Sequence, residues 1–135
     1  MKGGQLEDKT PYRPCPFCKR DLNQIKSRNR TVYAIEDTAP VTRYHLLIIP
    51  FRHCETYFDM TREERCDAHD LIVSLRRQIL MEDETVTGFN IGINCGGDAG
   101  QTIFHTHIHL IPRRNRDTPS PRGGVRGVVP DKMDY

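Results

Sequence analysis

The run 103-IFHTHIHLIP-112 places a histidine at every second position, His105, His107 and His109, with apolar or small residues between them. On a β-strand, successive side chains point to opposite faces. The three imidazoles then share a face with Ile103 and Ile111, while Phe104, Thr106, Ile108 and Leu110 build core on the other. A rise of about 3.3 Å per residue sets neighbouring histidines about 6.6 Å apart at Cα and the outer pair about 13 Å apart. Zinc needs each ligand nitrogen within about 2.1 Å. Two neighbours can converge on one ion; three on a regular strand cannot easily do so. Burying three imidazoles with nothing to bind would carry repeated desolvation costs. The alternation therefore points to three rings with different tasks. A neutral imidazole is largely unprotonated at pH 7 and can serve as base or nucleophile.

The rest of the chain supplies a scaffold for that strand. Its 135 residues fit one domain, 1–135, and 36% apolar with 28% charged residues is the composition of a soluble globular protein. Residues 1–14 read as irregular, 15-CPFC-18 as a tight turn, and 19–30 as a polar loop. The segments 31-TVYAIED-37, 44-YHLLIIP-50, 89-FNIGIN-94 and 102-TIFHTHIHLIP-112 have strand character. Thr61 and Glu64 form a capping box, and Ala68, Leu71, Ile72, Leu75 and Ile79 follow 3–4 spacing, which predicts a helix from about Arg62 to Met81. Past Pro112 the chain is rich in Arg, Pro and Gly, and 113–135 is expected to be an extended tail. The fold class is α+β, a mostly antiparallel sheet with one main helix packed on it.

Charge and cysteine content narrow the setting. A net charge of +2 is too small to argue for nucleic acid, and no apolar run approaches membrane length. Six Lys/Arg against three Asp from Arg113 onward suit an anionic substrate or, equally, a solvated arm. Five cysteines without a secretory signal layout point to reduced thiols and a cytoplasmic setting. Cys54, Cys66 and Cys95 read as small buried or incidental thiols, and His69 as a solvent-facing helix residue. Cys15 and Cys18 have the spacing of a zinc half-site or a redox pair, and histidines are the available type for two further ligands. The turn 96-GGDAG-100 lets backbone approach an anion but lacks the lysine of a Walker loop. Alone it would be only a turn.

Three segments carry a family resemblance. The run 101-QTIFHTHIHLIP-112 resembles the signature of the histidine triad family, 94-NCGGDAGQT-102 its glycine loop, and 37-DTAPVTRYHLLIIPFRH-53 its second strand with the preceding nucleotide-contacting turn. With Cys15 the match reaches from there to Pro112. The resemblance implies a hydrolase in which His107 attacks the α-phosphorus of a nucleotide to form a covalent nucleotidyl-histidine. It assigns His109 to the phosphate and His105 to supporting geometry or metal. It places Asp37 on the ribose, His45 near the nucleoside, and Asn94, Gly100, Gln101 and Thr102 near phosphate. It further implies a structural Zn2+ on Cys15, Cys18, His53 and His105, and a homodimer without membrane or nucleic-acid partners. Dinucleoside polyphosphates or nucleoside phosphoramidates are the implied substrates. A nucleotidyltransferase or phosphorylase, a zinc-stabilised nucleotide-binding adaptor and a catalytic zinc hydrolase are the rivals. The chain departs from many relatives at Tyr44, where they have glycine, and at Phe51, where they have lysine. The pattern 121-PRGGVRGVVP-130 resembles bacterial relatives described as dinucleoside polyphosphate hydrolases.

Overall fold

The segment 46-LLIIP-50 is buried along its whole length, because opposite faces of this strand meet different parts of the chain. The computed structural model describes residues 15–135, so the irregular segment expected at 1–14 lies outside the described residues. Five strands form one antiparallel sheet: β1 (Ile25–Arg28), β2 (Val32–Glu36), β3 (Leu46–Pro50), β4 (Val86–Gly92) and β5 (Ile108–Arg114). Their order across the sheet is β1-β2-β3-β5-β4, with α1 (Arg62–Glu82) between β3 and β4 in the chain. Leu46 and Ile48 face the helix with Val32, Ala34, Ile108 and Leu110, and the Ala68–Leu71–Leu75–Ile79 stripe closes over them. Each fully buried aliphatic side chain in this layer contributes about 1.5–3 kcal/mol. Leu47 and Ile49 face the other way, with Tyr33, and are covered by Cys15 and Phe17. The short CPFC segment thus takes the place of a second helix over half of the sheet.

Three expectations need correction. The histidine strand begins at Ile108, not at residue 102; residues 103–105 form a bend. Here the Thr106 N–H and hydroxyl both donate to the Cys54 carbonyl, at 2.8 and 3.0 Å, so the chain is anchored to the loop after β3 rather than to a neighbouring strand. The bend turns Phe104 outward, to 47% exposure, whereas Thr106, Ile108 and Leu110 take the buried face as expected. The polar stretch 19–30 contains a 3-10 turn, Leu22–Gln24, and the edge strand β1. That strand hides from pattern reading because one face is solvated and its four residues are IKSR. The tail is not simply extended: β5 continues to Arg114, and 3-10 turns follow at Gly124–Val128 and Pro130–Lys132. His69 is exposed, Cys54 buried, Cys66 exposed and Cys95 partly buried.

The helix start fixes the loop that follows β3. Thr61 Oγ1 accepts from the Glu64 N–H and the Thr61 N–H donates to Glu64 Oε1, closing the capping box. Glu64 is 4% exposed and also accepts Nε and Nη2 of Arg52, at 3.0 and 2.9 Å. Burial pushes its carboxyl up, but the Arg52 and Thr61 hydrogen bonds outweigh this and hold it below its ordinary value. Arg52 adjoins His53, so this pair connects the cap of α1 to the cysteine–histidine cluster. Replacing Glu64 by Gln leaves the cap acceptor but removes the charge facing Arg52. Because that arginine is half exposed, we expect a loss of about 1–2 kcal/mol. Urea unfolding of the variant checks this; an unchanged midpoint would contradict it.

Candidate active site and metal centre

His105 sits at the bend before β5 and is fully buried. Its Nε2 lies 2.8 Å from the Pro50 carbonyl, which can only accept, so the ring proton is on Nε2 and the Nδ1 lone pair is free. That Nδ1 is 3.4 Å from Cys15 Sγ, 3.5 Å from Cys18 Sγ and 3.1 Å from His53 Nδ1, and Cys18 Sγ is 3.2 Å from the same His53 nitrogen. All four ligand atoms lie within 4.8 Å of one another. Bonds of about 2.0 Å to nitrogen and 2.3 Å to sulfur put the corners of a tetrahedron about 3.3–3.7 Å apart. The set therefore fits a four-coordinate divalent ion. The Pro50 carbonyl is the outer partner that fixes the tautomer of a ligating histidine. Burial and the adjacent Cys15 push the Cys18 thiol up to about 12, so it keeps its proton until a cation displaces it.

Two residues on, just before β5, the next histidine does something different. His107 Nδ1 lies 2.9 Å from the His105 carbonyl and donates to it, leaving the Nε2 lone pair bare. His109 is set the opposite way. The Val41 N–H donates to His45 Nδ1 at 3.0 Å, so His45 carries its proton on Nε2. That nitrogen is 2.9 Å from His109 Nδ1 and 3.4 Å from Asp37 Oδ2. The nearer contact makes His109 Nδ1 an acceptor and leaves its proton on Nε2. The two rings are 5.3 Å apart at 61°. One offers a lone pair and its neighbour a donor, which is what a group gaining negative charge under nucleophilic attack requires.

A cleft of about 400 Å³ opens beside these rings. His107, His109, Asp37, Asn94, Gly100 and Thr102 line it, with Phe17, Ile35 and Leu47 as apolar wall. Gly100 has a φ of +97°, which favours glycine, and a Cβ there would meet the Asn94 side chain at 3.8 Å. Three residues stand apart from the expected cleft lining. His105 is given over to the cysteine cluster. His45 is 3% exposed and acts through His109 and Val41. Gln101 is 4% exposed: its Oε1 accepts from the Gly96 N–H, and its Nε2 donates to the Glu55 and Ile103 carbonyls. Its amide holds the glycine loop in shape. The N–H groups of Ala99, Gly100 and Gln101 are likewise bonded to carbonyls of Gly96 and Gly97, so those amides of the loop are not aimed at an anion. Sequence reading missed Phe17, which stacks edge-on against His105 and His107 at 5.8 and 5.2 Å. Its place between two zinc-spaced cysteines was the available signal.

Burial holds His45, His53, His105 and His109 below the ordinary imidazole value, with His105 brought down to about 4. In the unfolded chain these rings take up protons near pH 6.5. Below that pH the unfolded state binds more protons, so stability is full above about 6.5 and falls progressively towards 4. We expect chelator-treated protein to have a lower urea midpoint at pH 5 than at pH 7.5. A flat profile would show that burial does not depress these rings.

Comparison with known proteins agrees with this geometry. The HIT domain model matches residues 23–116. Adenylylsulfatase HINT3 of Arabidopsis thaliana is 36% identical over 84% of this chain and 59% of its own length. The asymmetrical bis(5'-nucleosyl)-tetraphosphatase of Schizosaccharomyces pombe is 35% identical over 70% of this chain and 52% of its own. The chain thus spans little more than half the length of these two relatives. A Zn-bound histidine triad family protein from Mycobacterium smegmatis superposes with a TM-score of 0.64 at 34% identity, covering 70% of this chain and 68% of that one. With its strand order, its paired histidines and a family match across most of its length, the chain belongs to the HIT family.

Proposed function

We propose that this protein hydrolyses a dinucleoside polyphosphate or nucleoside phosphoramidate at its α-phosphate through a covalent nucleotidyl-His107 intermediate. The observation that carries the reading is the opposed tautomers of adjacent rings, with His107 Nε2 bare and His109 Nε2 protonated. His107 Nε2 forms a bond to the α-phosphorus while the bond to the leaving group breaks. The His105 carbonyl holds Nδ1–H and stabilises the charge that the ring acquires. His109 donates to a phosphoryl oxygen, with its orientation kept by His45 and Asp37. Asn94, Thr102 and Asp37 line the same cleft; in this reading the first two contact phosphate and the Asp37 carboxylate accepts from ribose hydroxyls. Water then attacks phosphorus, the P–N bond breaks, and a nucleoside monophosphate leaves with His107 regenerated. Phosphate or a sugar phosphate in place of water would make the same site a transferase. His107→Ala should abolish turnover while nucleotide binding changes little. Rapid mixing of the parent protein with diadenosine tetraphosphate, followed by mass spectrometry, should detect a nucleoside monophosphate on His107. Full turnover by the variant would overturn the reading.

The Cys15–Cys18–His53–His105 cluster is assigned to structural zinc, whose closed donor set leaves no position for substrate. The ion would tie the CPFC segment, and Phe17 with it, to the bend that positions His107. We expect zinc binding to release about two protons as the thiols ionise. Titration in buffers of different ionisation enthalpy measures this. Cys18→Ser should lower both the proton release and the zinc-dependent gain in thermal stability. Zinc affinity equal to that of the parent would refute the assignment.

A further inference from the structure

Cys15 and Cys18 bracket a closed turn. The Lys19 N–H donates to the Cys15 carbonyl at 3.3 Å, and the Cys18 N–H donates to Cys15 Sγ at 3.3 Å. The two sulfurs lie within 4.8 Å of each other, and both belong to free cysteines. They differ in access. Cys15 is 8% exposed, whereas Cys18 is only partly buried, and the exposed Pro16 between them lines the cleft beside His107. A small reagent therefore reaches Cys18 first and meets a second sulfur close behind it. An accessible thiol with a resolving partner in reach is converted by oxidation to a disulfide rather than left as an adduct. Cys66 is exposed on α1, which holds no second cysteine.

We propose that Cys15 and Cys18 form a thiol–disulfide switch, in which oxidation joins the two sulfurs, gives up the zinc ion and shifts Phe17 against His107. The proposal rests on the zinc assignment above. With both cysteines present as thiolate ligands, the Cys18 sulfur attacks one sulfur of a low-molecular-weight disulfide and expels a thiolate. The Cys15 sulfur then attacks the sulfur of Cys18 and expels the second thiolate. The cysteines lose two electrons, the reagent gains them, and its two thiolates take up protons from water. The new bond, about 2.05 Å long, draws the sulfurs together and cancels their charge. Of the four ligands only His53 and His105 are then left, fewer than a structural zinc site uses. Pro16 and Phe17 are the residues enclosed by the new bond, so the change passes to Phe17. Its carbonyl accepts from the Tyr33 hydroxyl at 2.8 Å and from Arg20 Nη1 at 3.1 Å, which makes that peptide the pivot. The phenyl ring beyond it meets His105 and His107 edge-on, at 5.8 and 5.2 Å. Oxidation at the metal cluster is thereby felt at the ring of His107.

The test exposes the zinc-loaded protein to 2-hydroxyethyl disulfide. A chromogenic chelator reads released zinc, and mass spectrometry reads the peptide that carries both cysteines. The expected result is about one zinc released per Cys15–Cys18 disulfide, with the peptide lighter by two hydrogens. Dithiothreitol with added zinc should reverse both changes. Cys66→Ser should release zinc within about twofold of the parent's rate. In histidine ring NMR spectra the His107 signals should shift on oxidation and return on reduction, while those of the exposed His69 stay in place. Zinc retained while Cys66 takes up the reagent overturns the proposal. So does zinc loss with separate adducts on Cys15 and Cys18, or loss that requires Cys66. Unmoved His107 signals overturn the link from the disulfide to that ring. If the parent takes up no zinc before oxidation, it is the metal assignment that fails.

Discussion

Two backbone groups of opposite polarity decide what the histidines can do. The carbonyl of His105 accepts from His107 Nδ1, and the amide of Val41 donates to His45 Nδ1 and, through that ring, makes His109 Nδ1 an acceptor. Neither peptide group titrates, so among the neutral rings the division of roles follows from the chain's path. Moving either peptide group by about an ångström would lengthen these hydrogen bonds past their useful range and leave the tautomers unspecified. The rest of the architecture serves to hold those two peptides still. The β3–β5 pairing sets Leu47 opposite His109, and the Thr106–Cys54 bonds anchor the bend that presents the His105 carbonyl.

His105 couples the two centres. Its carbonyl orients His107, its Nε2 donates to Pro50, and its Nδ1 faces the two cysteines and His53. A regular strand would keep consecutive odd-numbered side chains directed alike on the one face that His109 shares with Leu47. The bend at 103–105 is what separates the rings by task. The geometric objection that three imidazoles on one strand do not converge on one ion is resolved because His105 and His107 both precede β5 and only His105 turns to the cysteines. Exposure of Phe104 is the accompanying cost, since the turn that carries His105 inward carries its neighbour out.

What was legible in the sequence follows from whether the information was local. The helix was readable because a capping box and a 3–4 stripe are both encoded within a few residues. β3 was readable as a wholly apolar run. β1 was not, because IKSR becomes a strand only through pairing with β2 at an edge. Gln101 looked like a phosphate donor by its place beside a glycine loop, yet its bonds reach Gly96, Glu55 and Ile103, partners that only the fold brings together. Tyr44 shows the opposite case. Its φ of +72° lies in the left-handed region that glycine occupies without strain, which fits the glycine that the family resemblance implies at this position. With tyrosine in that conformation, His45 reaches both Val41 and His109.

The 41–44 turn also reaches beyond the polar relay. Val41 supplies the amide that sets the tautomer of His45, and its side chain stands 69% exposed on the rim of a cleft of about 620 Å³ that Ile91, Val125 and Val128 also line. One residue thus belongs at once to the polar relay behind His109 and to the apolar wall beyond it. Thr42 Oγ1 donates to the Pro112 carbonyl at 2.6 Å, and Arg114 Nη2 to the Arg43 carbonyl at 3.2 Å, so the 41–44 turn is tied directly to β5 beyond the histidines. A group pressing on the valine side of the cleft would therefore push against a turn that is braced, not hinged.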